Sequence, residues 1–407
     1  MNRVVAVIGG GPAGMMAASV AAKNGNKVVL IEKNNTLGKK LLITGKGRCN
    51  VTNNAPIDEF FKNVPTNGNF LYSSLYTFTN ENLINLLEKL GVKTKVERGE
   101  RVFPASDKAV DVLNALKRLM ANYGVKVYNG RVIDIQVSEN GKKRVVTSDR
   151  KVLICDSVII ATGGVSYPLT GSTGDGYKLA ERLGHSVTPI NPSLVPMEFC
   201  ESYVKELMGL SLKNVAVTVY NGNKKIYDDF GEMLFTHYGA SGPIILSASS
   251  HIKNANSGQY KISIDLKPAL DFKTLDKRVL RDFEEAKNKD FINALDNLLP
   301  KKMIPVVVKL STIDGHTKVN EITKEQRHLF VELLKNLTFT VKKFRPVAAA
   351  SVTAGGINVK EINPSTMESK LVGGVYFAGE IIDVDAYTGG FNLQIAFSTG
   401  YVAGMNA

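Results

Sequence analysis

Gly9-Gly10-Gly11-Pro12-Ala13-Gly14 is the stretch on which the fold turns. Before it, Val4 to Ile8 is a short apolar run rich in β-branched residues; after it, Met15 to Asn24 is Ala-rich and suited to a helix until Gly25 stops it. Val28 to Ile31 is a second β-branched run, so residues 3–32 read as strand, turn, helix, strand. That is one βαβ unit of the expected ~30 residues. Within Gly9-x-Gly11-x-x-Gly14, the first glycine permits the tight turn, the second lets backbone approach a pyrophosphate, and the third lets helix and strand pack closely. The helix N-terminus adds N–H donors and positive potential. Glu32 lies 18 residues beyond Gly14, where the second strand ends, and is placed to accept from an adenosine ribose hydroxyl. A dinucleotide site follows, with Pro12, Ala13 and Lys33 among its contacts.

Composition narrows what surrounds that unit. The chain has 407 residues, 44% apolar and 22% charged, with 36 glycines and 14 prolines. That suits two or three globular domains and excludes disorder along the whole length. Three cysteines, Cys49, Cys155 and Cys200, form no C-x-x-C pair. This speaks against a disulfide framework and a cysteine zinc site, and for a reducing, cytoplasmic setting. The histidines show no ligand spacing, so no metal is expected. No run approaches the ~18 apolar residues of a membrane span, and the glycines inside the first apolar stretch argue against a signal peptide.

The formal charge of +13 is compatible with nucleic acid, a membrane surface or a phosphorylated cofactor. An RNA reader would stack bases on aromatics beside basic residues. Phe272, Phe283, Phe291 and Phe330 instead recur at the spacing of a helix core, which disfavours a nucleic-acid partner and leaves a small-molecule substrate.

Further along, a helix is expected near Asn82 to Leu90, and another from Asp107 to Asn122 capped by Ser106. Paired strands are expected at Val125 to Val137 and Val145 to Ile154, across a turn at Asn140-Gly141, followed by a strand at Ser157 to Ala161. Alternation at Val215, Val217, Val219 and at Tyr260, Ile262, Ile264 marks an antiparallel sheet or barrel. The period then becomes helical: Leu275, Val279 and Phe283 share a face, and Thr323 with Gln326 forms a capping box. The chain ends in a strand, glycine turn and helix from Val375 to Ala407.

Ile159-Ile160-Ala161-Thr162-Gly163-Gly164 is a strand ending in another glycine turn. With Gly379-Glu380 after Val375-Tyr376-Phe377-Ala378, and with Gly389-Gly390-Phe391-Asn392-Leu393-Gln394 opening a helix, it resembles the glutathione-reductase type of FAD fold. The loop from Gly38 to Asn53, Val102-Phe103-Pro104, Leu234 to Pro243 and Ala354-Gly355-Gly356 extend the likeness. Over nearly its whole length the chain resembles the BaiN-type flavoproteins, a family that also includes aminoacetone oxidase.

The resemblance implies an α/β fold: a glutathione-reductase-type FAD-binding Rossmann domain with an inserted antiparallel β unit and a small helical module. Residues 1–190 and 350–407 would form the FAD domain, 191–268 and 337–349 the β-rich substrate domain, and 269–336 the helical insertion. FAD contacts are expected from Gly9, Gly11, Pro12, Ala13, Gly14, Glu32 and Lys33. The basic loop would add Lys40, Thr44, Gly45, Gly47, Arg48, Cys49 and Asn50, and Val132, Ala161, Thr162 and Gly163 would follow. The last third would supply Gly379, Glu380, Gly390, Asn392, Leu393 and Gln394. Tyr387 and His237 are the candidate proton donors, and Cys49 reads better as a packed residue than as a redox thiol.

No second strand-G-x-G-x-x-G-helix occurs from residue 150 onward, so no dedicated nicotinamide domain is expected. Electrons would reach FAD from NAD(P)H docking transiently, or from the substrate itself with oxygen as acceptor. The leading expectation is an FAD-dependent oxidoreductase performing NAD(P)H-linked reduction of an activated C=C or C=O in a small or steroid-like substrate, by hydride transfer through flavin N5. An aminoketone or amine oxidase is the alternative, and an RNA-modifying or RNA-binding flavoprotein is the alternative of another class.

Overall fold

The computed structural model describes residues 3–252, 255 and 258–407. It divides into two compact units, residues 1–193 with 347–407 and residues 194–346.

The first unit is built around β1 (Val4–Ile8), α1 (Pro12–Lys23), β2 (Lys27–Glu32), α2 (Lys39–Ile43), β3 (Lys126–Asn129), β4 (Ser157–Ile160), β5 (Val375–Phe377) and α3 (Phe391–Asn406). The five strands form one sheet in the order β5-β4-β1-β2-β3, every pairing parallel. Central strands of such a sheet are buried on both faces, which is why β1 and β4 read as continuous apolar runs rather than alternating ones. Val5, Val7, Val158, Ile159 and Ile160 are fully buried. Helix α3 lies against α1 through small residues: a β-carbon on Gly400 would come within 2.4 Å of the Ala13 carbonyl oxygen, and one on Gly404 equally close to that of Ala17. The carboxyl-terminal helix is thereby locked onto the first helix of the chain.

The expected long strand Val125 to Val137 is corrected to two. Lys126–Asn129 joins the parallel sheet beside β2, whereas Val132–Val137 pairs antiparallel with Lys143–Thr147 in a separate three-stranded sheet. Ser106 does not cap the helix that follows it. Asp107 takes a left-handed φ of 57°, Lys108 becomes the N-cap with no side-chain cap bond, and the helix runs Ala109–Asn122.

The second unit is a closed barrel of six antiparallel-paired strands: Met197–Phe199, Gly239–Ser241, Lys224–Phe235, Ser211–Asn221, Tyr260–Asp265 and Leu337–Phe344, in that spatial order. Val215, Val217 and Val219 alternate inward as their spacing indicated. The helices Phe272–Glu285 and Lys324–Lys335 share a hydrophobic core with the barrel through Leu275, Val279, Phe330 and Leu334. The Thr323–Gln326 capping box forms, each side chain bonding the other's backbone N–H at 3.2 and 2.9 Å. No helix among the described residues is long and apolar enough to cross a membrane.

Candidate functional site

At the carboxyl ends of the parallel strands the first unit opens a cleft lined by the glycine turn, Glu32, Lys40, Ala161 to Gly163, Gly379-Glu380 and Asn392-Leu393. Ligands bind outside the carboxyl ends of strands in open α/β sheets. The cleft holds about 1370 Å³ of non-atom space up to and including its open mouth. Its lining takes in both Glu32 and Glu380, which lie on opposite sides of β1.

The three motif glycines divide their work. A β-carbon on Gly14 would stand 1.9 Å from the Gly9 carbonyl oxygen, and one on Gly9 would stand 2.5 Å from that of Ala161, so both are fixed by packing. A β-carbon on Gly11 would meet nothing within 4 Å. Gly11 therefore faces the open cleft beside the first N–H groups of α1, which have no partner within the helix. This is the cradle an anionic pyrophosphate requires.

Glu32 is almost fully buried, and its carboxylate is fixed by the chain itself. One oxygen accepts from the Gly10 N–H at 2.7 Å; the other accepts from the Asn34 N–H at 2.8 Å and its side-chain amide at 2.7 Å. The oxygen that accepts from Gly10 alone retains acceptor capacity for a ribose hydroxyl. Lys33 and Arg131, also in the lining, are both held by Asp175, at 2.7 and 2.8 Å.

Across the cleft, the Lys40 ammonium donates to Glu380 Oε2 and to Ser166 Oγ, both at 2.6 Å. The second Glu380 oxygen accepts from Ser166 Oγ and from the Thr353 N–H, both at 2.9 Å. Ser166 and Thr353 were not foreseen. They meet Glu380 across 214 and 27 residues of chain, and no local motif announces such a meeting.

Of the expected cofactor residues, Gly9, Gly11, Pro12, Ala13, Glu32, Lys33, Lys40, Thr44, Val132, Ala161, Thr162, Gly163, Gly379, Glu380, Asn392 and Leu393 line the cleft. Gly14, Gly45, Gly47, Arg48, Cys49, Asn50, Gly390 and Gln394 do not. Arg48 pairs instead with Glu97 and Asp107 and covers the Phe103 ring at 4.2 Å. The Cys49 thiol is pushed up to about 12 by burial, a packed residue rather than a thiolate. Gln394 is fully buried, accepting from Thr52 and donating to the Phe78 carbonyl and Ser398. Asn50 keeps a buried, unpartnered amide oxygen against Gly390, the residue that opens α3.

Tyr387 lies outside the lining, its backbone N–H donating to the Asn63 carbonyl at 2.9 Å. Asn392 holds that turn by accepting from the Ala386 N–H at 3.0 Å and donating to the Ala386 carbonyl at 2.6 Å. His237 belongs to the second unit, exposed between two barrel strands with its ring edge-on to Tyr238 at 4.8 Å.

The residues fit FAD: an open glycine face at a helix N-terminus, with a fixed acid on each side of it in one cleft. Known proteins agree. The chain is 32% identical to the 3-dehydro-bile acid delta(4,6)-reductase of Clostridium scindens, over 100% of this chain and 99% of that one. It is 30% identical to the ribosomal RNA dihydrouridine synthase of Haemophilus influenzae, over 98% and 97% of the two chains. Among solved structures, the 3-ketosteroid-delta4-(5alpha)-dehydrogenase of Rhodococcus jostii RHA1, in complex with 4-androstene-3,17-dione, aligns with a TM-score of 0.50. It shares 13% identity, covering 99% of this chain and 96% of that one, a likeness of fold.

Fold, cleft and relatives define an FAD-dependent oxidoreductase. The HI0933-like protein Rossmann domain matches residues 3–406, and the chain belongs to that family. The BaiN-type resemblance read from the sequence is borne out.

Proposed function

We propose that this protein reduces a ring C=C bond conjugated to a carbonyl, drawing its electrons from NAD(P)H, with a small steroid-like molecule as the leading substrate. The full-length likeness to a bile-acid reductase carries this reading. Bound FAD supplies the hydride chemistry; the protein supplies position and proton management. Each turnover would consume one NAD(P)H and one proton and saturate one double bond, the hydride adding at the β-carbon and the proton at the α-carbon.

The chain's own groups divide the task. The Gly11 face and the α1 N-terminus would hold the pyrophosphate, and Glu32 the ribose. Asn392 fixes the Ala386-Tyr387 turn at the entrance to α3; Tyr387, on that turn though outside the cleft lining, is our candidate from this unit for the proton delivered to the α-carbon. His237 is the candidate from the barrel unit.

A second reading is favoured by the ribosomal RNA dihydrouridine synthase among the relatives and by the +13 charge. Uracil also carries a ring double bond conjugated to a carbonyl, so the same chemistry would act on a base in RNA.

Anaerobic mixing of the FAD-loaded protein with NADH or NADPH tests the donor, with bleaching of the flavin band expected. Recolouring by a 3-oxo-Δ4 steroid, but not by oxygen-free buffer, supports the leading substrate. Dihydrouridine appearing in ribosomal RNA, with no recolouring by the steroid, supports the second reading. Bleaching by an aminoketone and not by either nicotinamide would overturn both.

A further inference from the structure

We infer that Lys40 and Glu380 pull the reduction potential of the flavin in this cleft in opposite directions, each cancelling the other in the intact pair, a role that rests on the FAD reading above. Sheet order gives the cleft two distinct halves. Glu32 ends β2 on one side of β1, while Glu380 follows β5 on the other side, beyond β4. The Glu32 half suits the adenosine, so the redox-active ring belongs to the Glu380 half.

The basic residues lining the cleft are not equivalent there. Lys33 and Arg131 both pair with the one carboxylate of Asp175, on the Glu32 side. Lys39 reaches the Asn34 amide oxygen at 3.3 Å, on the same side. Among the described residues of the lining, Lys40 is the cation that faces Glu380.

Both charges are held in place. The side chains of Lys40 and Glu380 are each 21% exposed. Ser166 Oγ lies 2.6 Å from the ammonium and 2.9 Å from the carboxylate, bridging the two, and the Thr353 N–H holds the far carboxylate oxygen. To swing into water Lys40 would abandon two partners and Glu380 three.

Reduction places negative charge on the flavin. Charges interact several-fold more strongly in a partly buried cleft than in water. An intact pair presents this charge with a balanced field; half a pair presents it with a bare ion of one sign. The consequence is a signed prediction that an ion pair remote from the redox-active ring does not make.

The measurement is the flavin midpoint potential, by anaerobic dye-linked titration of the holoprotein. Lys40→Met, which leaves the carboxylate bare, is expected to lower the potential. Glu380→Gln, which leaves the ammonium bare, is expected to raise it. Each shift should be at least tenfold in the reduction equilibrium, about 30 mV for a two-electron couple. The double variant and Lys40→Arg should return towards the native value.

Shifts of the same sign in both single variants, or no shift with flavin retained, would overturn the inference. Loss of flavin from both single variants, restored in the double, would make the pair a binding element and overturn it too. Failure of the FAD reading looks different: native protein that remains colourless and takes up no FAD.

Discussion

Gly14 stands so close to Gly9 that a β-carbon on it would lie 1.9 Å from the Gly9 carbonyl oxygen, whereas Gly11, between them, has nothing within 4 Å of where its β-carbon would be. Two glycines of one motif are therefore demanded by the protein and the third by its ligand. Gly11→Val should leave the melting temperature of the apoprotein within a few degrees of native while lowering FAD occupancy severalfold. Gly14→Ala should instead destabilise the apoprotein, by the ~1–3 kcal/mol typical of overpacking or more. Equal flavin content in native and Gly11→Val protein would remove the pyrophosphate from this turn.

The parts legible in the sequence were those whose cause is local. The glycine turn, the flanking β-branched runs and the Thr323–Gln326 box each depend on residues within a few positions of one another. The strand expected over Val125 to Val137 failed because propensity does not reveal the partner. Lys126–Asn129 is drawn into the parallel sheet by β2, about a hundred residues earlier, and the rest of the run is not. The cleft shows the same limit. Glu380 was legible as an acid after a strand and glycine, but the Ser166 and Thr353 that hold it arrive from distant chain. Lys33 was legible as a cation beside Glu32, while its pairing with Asp175 across 142 residues was not.

Glu32 holds the glycine turn as well as offering itself to a ribose. Removing its carboxylate in Glu32→Ala strips the Gly10 and Asn34 N–H groups of their acceptors, at about 1–3 kcal/mol for each donor left buried and unpaired. Apoprotein stability and FAD affinity should both fall. Glu32→Gln keeps an acceptor oxygen and should recover much of the stability but less of the affinity. A Glu32→Ala protein with native melting temperature would show that these hydrogen bonds are not needed.

Cysteine chemistry offers a test of the basic loop. Cys49 is fully buried with its thiol pushed up to about 12, whereas Cys200 is exposed. Alkylation of native protein at pH 8, followed by mass spectrometry, should label Cys200 first and leave Cys49 unlabelled until denaturant is added. Labelling of Cys49 at a rate matching Cys200 would contradict the packed assignment.

His185 gives the first unit a pH dependence with a definite sign. It is buried beneath β5, its ring edge-on to Phe377 at 4.8 Å and its nitrogens against Ser369 at 2.8 Å and Glu361 at 3.1 Å. Burial lowers its affinity for a proton, more than the Glu361 carboxylate raises it. The folded protein thus binds fewer protons here than the unfolded chain, whose histidine titrates near ~6.5. The stability contributed is complete above that value and is lost as pH falls through it towards the lower, folded value. The melting temperature should drop on acidification from pH 7.5 to 5.5, and His185→Asn should flatten that slope. An unchanged slope would place the responsible group elsewhere.

Arg48 separates a cofactor contact from a scaffold contact. It lies outside the cleft lining, clamped between Glu97 and Asp107 over Phe103, beside a loop in which Gly45, Lys46, Gly47 and Cys49 all have positive φ. For Lys46 and Cys49 that conformation costs about 1–3 kcal/mol each and persists only when surrounding contacts enforce it. Arg48→Ala removes the clamp while leaving the cleft's own donors intact. Protease cleavage within residues 44–50 should therefore accelerate several-fold, and FAD affinity should change less than it does in Gly11→Val. If affinity collapses while cleavage stays native, Arg48 contacts the cofactor directly and the loop must close over the cleft when FAD is bound.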